Sequence, residues 1–147
     1  MALDFVIFDG DEVKFLPTFK IASVQVRPGK MKASGKTTIK GRKVCVDGDE
    51  GEVEVSPCKY TTFKHSKEGI GSLKIKKLAA GQLTKKTYSG NKRIILKGIF
   101  FESLFEVKTP AEDITPVASG GSPIPDTTRY YTGIGQLVTD NNEIKAS

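Results

Sequence analysis

The chain has 147 residues, a net charge of +6, 37% apolar residues and no tryptophan. That length suits one compact domain able to bury a core without staples. Two cysteines exclude a disulfide framework, though one Cys45–Cys58 bridge stays open, and no apolar run approaches the roughly 18 residues of a membrane-spanning helix.

The opening stretch MALDFVIFDGDE has no basic leader and no long apolar segment. No signal peptide is expected, which puts the protein in the cytoplasm at first, leaving it only by another route. LDFVIFDGDEVKFL reads as two short strands around Asp9-Gly10-Asp11, a hairpin signal. From Phe19 to Val46, apolar and polar residues alternate through Ile21, Val24, Val26, Ile39, Val44 and Val46. Turn signals at Pro28-Gly29, Ser34-Gly35 and Gly41 interrupt them. EVEV is a further short strand. GSLKIKKL alternates as a strand, although LKIKKLAAGQLTKK also suits one or two helical turns stopped at Gly81. The most apolar stretch, Arg93 to Val107, is rich in β-branched and aromatic residues, which predicts a central strand or a bent pair with Gly98 at the bend.

After Val107 the composition changes. KTPAEDITPVASGGSPIPDTT predicts a surface loop or extended arm. RYYTGIGQLVTDNNEIKAS then regains strand character and reads as a last hairpin, turning at Asp140-Asn141-Asn142. The expected organisation is an all-β domain of short hairpins over 1–109, with the arm and final hairpin, 110–147, packed on the same body. An internal echo runs through it. GRKVCVDGDE at Gly41 and GNKRIILKGIFFE at Gly90 share a form, 49 residues apart, and VIFDGDE resembles the end of the first.

Charge is uneven. Val13 to Val46 holds nine Lys or Arg and no acid, Asp47 to Glu54 five acids, and Lys59 to Lys97 eleven Lys or Arg and one acid. Such an excess suits either a polyanion-binding surface or lysines on exposed strands that protect sheet edges. As a basic β-barrel, the chain would bind nucleic acid through exposed aromatics; Tyr60 and Phe63 are the candidates for stacking.

Few residues suggest chemistry. Cys45, Cys58 and His65 could ligate zinc with Asp47 or Asp49 nearby, but the paired C-x2-C spacing is missing, and a buried cysteine with an exposed histidine fits equally. DGDEGE lacks the EF-hand spacing and reads as a solvated hairpin turn. SGKTT contains Gly-Lys-Thr, but position 30 is Lys where a phosphate loop needs Gly, and a strand follows. With one His and no G-x-S-x-G elbow, no enzyme is expected.

The stretches ASGKTTIKGRKVCVDGDE and SGNKRIILKG, within Ala33–Ala111, resemble the PAAR-like proteins that tip contractile injection systems. The resemblance implies a small cone of β-hairpins with near three-fold form. Such a cone would seat one copy per trimer on a β-helix spike, sharpen it and puncture a target membrane met only transiently, with no nucleic acid involved. Another small phage-tail or baseplate component is the neighbouring reading. On this resemblance the candidate spike contacts are Ile99, Phe100, Phe101, Phe105, Tyr130 and Tyr131. Members of that group carry zinc near the apex through several His and a Cys, and the corresponding set here would be Cys45, Cys58 and His65. The Pro-Ala-Ala-Arg signature itself is not met: Pro110-Ala111 is followed by Glu112-Asp113.

Overall fold

The computed structural model describes residues 3–147. In chain order the strands are β1 (Asp4–Phe5), β2 (Glu12–Phe15), β3 (Thr18–Phe19), β4 (Ala22–Val24), β5 (Gly29–Lys30), β6 (Thr38–Ile39), β7 (Arg42–Lys43), β8 (Glu54–Thr62), β9 (Gly69–Lys77), β10 (Leu83–Ser89), β11 (Lys92–Ile95), β12 (Phe101–Thr109), β13 (Glu112–Asp113), β14 (Ile124–Pro125), β15 (Tyr130–Val138) and β16 (Lys145–Ala146). The all-β expectation holds: among the described residues no helix exceeds the five-residue 3-10 turn Thr115–Ser119. The LAAGQ segment is a 3-10 turn, Ala80–Gln82, between two strands.

Eight strands form one curled antiparallel sheet, ordered β3-β4-β8-β9-β12-β15-β2-β5. Alternation decides its faces: Val13 and Phe15 of β2, and Phe101, Ser103 and Phe105 of β12, are buried between exposed or partly exposed neighbours. Inside the curl Phe15 meets Phe101 edge-on at 5.7 Å, and Tyr60 packs on Phe105 at 5.1 Å and on Tyr131 at 6.0 Å. The two Gly-Ile-Gly runs seat these rings. A Cβ at Gly71 would lie 2.5 Å from Phe105 Cζ, and one at Gly135 would lie 2.4 Å from Phe101 Cζ. The isoleucines between them, Ile70 and Ile134, face outward.

One end of the curl is closed by a different structure. Three segments, Phe5–Asp11, Lys43–Asp49 and Arg93–Ile99, cross in a triangle. At its centre Ile7 N–H donates to Ile95 C=O, Ile95 N–H to Cys45 C=O, and Cys45 N–H to Ile7 C=O, each at 3.0 Å. Antiparallel bridges Val6–Leu96, Phe8–Val44 and Val46–Ile94 complete the cycle. Asp9 N–H to Lys43 C=O, Asp47 N–H to Arg93 C=O and Lys97 N–H to Phe5 C=O repeat the same bond, at 2.8, 2.8 and 2.9 Å. Every segment therefore pairs with both others, and the bonding is three-fold. Ile7, Cys45 and Ile95 are buried in the main core, while Val6, Phe8, Val44, Ile94 and Leu96 form a second cluster covered by Ile39, Ile144 and Ala146. A triangle of three apolar strands can bury both faces only because each face has its own cover.

A partner strand flanks each segment: β6 beside β7, β10 beside β11, and for the first segment the C-terminal β16 beside β1. The Tyr130–Ser147 stretch is therefore not a hairpin. β15 lies between β12 and β2, and β16 supplies the flank that the first segment cannot draw from upstream. Likewise Asp9-Gly10-Asp11 is a corner rather than a hairpin, since β1 and β2 do not pair. The internal echo is real but one residue out of step with its glycines. Lys43 corresponds to Arg93, because the β6–β7 turn is Lys40-Gly41 and the β10–β11 turn is Gly90-Asn91, all four at positive φ.

The arm lies along the sheet. Asp126, 6% exposed, accepts the hydroxyls of Tyr60 at 2.8 Å and Tyr131 at 2.7 Å on Oδ2, and the Thr128 N–H on Oδ1. Ala111 N–H donates to the Tyr60 oxygen at 3.0 Å.

Candidate functional site

The three residues with metal-ligand chemistry are not brought together. Cys45 is fully buried at the centre of the triangle, and Cys58 is buried on β8, its thiol donating toward Val55 C=O at 3.7 Å. Both are free thiols. His65 sits in the turn after β8, its Nδ1 2.8 Å from Thr62 Oγ1 and its N–H on the same hydroxyl. Among the described residues no group of three His, Cys, Asp or Glu could hold a metal ion. Burial first, then the charges of Asp49, Asp11 and Asp9, pushes the Cys45 thiol far above the ordinary range, so its ligating thiolate form is disfavoured. The zinc set read from the resemblance therefore does not fit these residues.

The DGD stretches have a structural use instead. Asp11 Oδ2 accepts the Phe8 N–H and Asp49 Oδ2 the Val46 N–H, each at 2.8 Å. Asp49 also takes the Ser34 hydroxyl at 2.6 Å. Asp49 is 3% exposed, so it is a buried cap and not part of a solvated turn. Gly10 and Gly48, at φ +86° and +105°, turn the chain out of the triangle in a conformation that costs a side chain about 1–2 kcal/mol.

The third segment departs from this pattern. Ile99 stands where Asp11 and Asp49 stand in the other two. The N–H equivalent to those of Phe8 and Val46, that of Leu96, is taken by Gln82 C=O at 2.8 Å. Gln82 is fully buried and also donates from Nε2 to Lys97 C=O at 3.1 Å. With its capping duty passed to Gln82, position 99 is free, and Ile99 is 76% exposed beside Phe100 at 41%. The two help line an open hollow of about 670 Å³ with Asp4, Ala79, Gly81 and Gly98.

Of the other contact candidates, Phe101, Phe105 and Tyr131 are buried at 1, 0 and 4% exposure. They are core residues, and alternation along β12 and β15 removes them from any docking surface. Tyr130 is exposed but opposes Glu106, whereas Phe101 opposes Gly135. Five residues of strand, about 17 Å, separate the two positions. Of the stacking candidates, Tyr60 is buried at 1%, while Phe63 is fully exposed. Phe63 belongs to the turn after β8, at the end of that nine-residue strand opposite the one that follows the Asp49–Glu52 turn.

Over residues 1–147 the chain matches the family model described as contractile injection system spike tip protein. The chain belongs to that family. No curated protein matches it. A spike tip protein is a structural component placed at the tip of a contractile injection particle, in association with its spike. A nucleic-acid-binding barrel is not favoured.

Proposed function

We propose that the chain is a non-enzymatic, PAAR-like cap that seats singly on the end of a trimeric β-helix spike, through the triangular end of the molecule. The cyclic hydrogen bonding of Ile7, Cys45 and Ile95 carries this reading. A single chain meeting a trimer faces a symmetry mismatch, and three strand segments bonded as a three-fold cycle supply a matching end within one polypeptide. A spike that ends in open strands exposes unpaired backbone groups; a rigid apolar cap shields them and narrows the point for passage through a target membrane. The protein stays in the cytoplasm until it is assembled on the particle.

The contact would centre on Ile99 and Phe100, which adjoin the triangle, rather than on Tyr130 at the far end. Burial of two such side chains against a partner is worth about 3–6 kcal/mol before ordering costs. Replacing both by aspartate (Ile99→Asp with Phe100→Asp) should abolish co-elution with the spike trimer, while Tyr130→Asp should co-elute as the unaltered chain does. The reverse pattern would overturn this docking face.

A further inference from the structure

The three strand pairs that flank the triangle differ in charge. On β6–β7, Lys40 pairs with Glu143, and Arg42 holds Asp11 at 3.1 Å and Asp140 at 2.9 Å. On β10–β11, Lys85, Lys86, Lys92 and Arg93 are exposed, and among the described residues none pairs with a carboxylate. The sequence offers them no local partner: no Asp or Glu lies between Glu68 and Glu102.

Two of these cations, Lys85 and Arg93, do not stand on a bare surface. Lys77, Lys85 and Arg93 line an open groove of about 500 Å³ with the apolar Leu78, Ala79 and Leu83. Its one carboxylate, Glu102, is engaged by Lys76 at 3.5 Å. Ala79 also lines the hollow of Ile99 and Phe100, so the groove continues the apolar patch. An apolar centre with a charged rim is the anatomy of a protein interface.

We infer that the β10–β11 groove receives an acidic strip on the end of the trimeric spike, as the cationic rim of the Ile99–Phe100 contact. The inference rests on the cap reading above. A nucleic-acid backbone would use the cations but not the apolar groove, and Tyr88 is the exposed aromatic of the hairpin, a poor stacking platform by itself. Unneutralised charge facing acids speeds encounter and makes binding salt-dependent.

The test measures the affinity of the full chain for its spike trimer at low and high salt. The Lys77→Gln, Lys85→Gln, Arg93→Gln variant is compared with a control of equal charge change at the end away from the triangle: Lys64→Gln, Lys108→Gln, Arg129→Gln. Affinity should fall about ten-fold or more in the groove variant at low salt, with a flattened salt dependence, and hold in the control. A groove variant that binds the spike like the unaltered chain overturns the inference and leaves the cap intact. So does a variant that keeps spike affinity but loses retention of an oligonucleotide, which would assign the groove to nucleic acid. If the unaltered chain forms no complex with the spike at any salt, the cap reading falls as well.

Discussion

The backbone of Cys45 is bonded to that of Ile7 by a 3.0 Å hydrogen bond, and both side chains are fully buried in the main core. Cys45 thus occupies the position that isoleucine fills in the other two segments, where it acts as a small apolar residue. Neither Cys45 nor Cys58 should react with a thiol reagent while the protein is folded, and both should react in denaturant. Cys45→Ser should cost about 1–3 kcal/mol by burying a hydroxyl without a partner. Fast labelling of the native protein at Cys45 would contradict the closed triangle.

The corner glycines should not be equivalent. Gly10→Ala meets no atom within 4 Å and pays only for its φ of +86°, about 1–2 kcal/mol. Gly98→Ala, at φ +57°, also brings its Cβ within 2.3 Å of Gln82 Cγ. Gln82 also caps the third segment, so Gly98→Ala should lower the urea midpoint more than Gly10→Ala does. Equal midpoints would deny Gln82 that role.

The arm should be acid-sensitive. Burial raises the Asp126 carboxyl, but the Thr128 N–H, the Tyr131 and Tyr60 hydroxyls and the nearby His65 outweigh it, and the net shift is downward. A depressed folded pKa adds stability that is fully present above the ordinary Asp value of about 3.9. That stability is lost as the pH falls through the lower folded value. Asp126→Asn should cost about 1–3 kcal/mol near neutral pH and weaken the decline of stability toward acid. A variant whose urea midpoints follow the unaltered chain at every pH would remove Asp126 as the anchor.

Phe63, 99% exposed, lies at the end away from the proposed docking face. Phe63→Ser should leave both the melting temperature and spike binding unchanged. Loss of spike binding would reverse the polarity of the molecule.

Much of this was legible in the sequence, and the failures have physical causes. The all-β class follows from alternation, and the Gly98 bend from a glycine between two apolar runs. The three-fold cycle shows only as an echo, because its glycines are shifted by one residue and the first segment borrows β16 from the far end of the chain. Nothing local links Phe5 to Lys145. Phe101, Phe105 and Tyr131 look as available as Ile99 and Phe100 in an apolar run, since one-residue steps along a strand decide which face they take. The zinc trio is close in sequence, yet Cys45 is buried in the central triangle while His65 lies beyond a nine-residue strand. The informative departure was Ile99 in place of a DGD aspartate, and its meaning depends on Gln82, seventeen positions upstream.

The central claim is that one chain imitates three-fold symmetry in order to cap a trimer. The most direct measurement is the mass, by light scattering after size exclusion, of the complex between this protein and its spike trimer. One chain per three spike subunits is the predicted result, and three chains per trimer, or no complex, would contradict it.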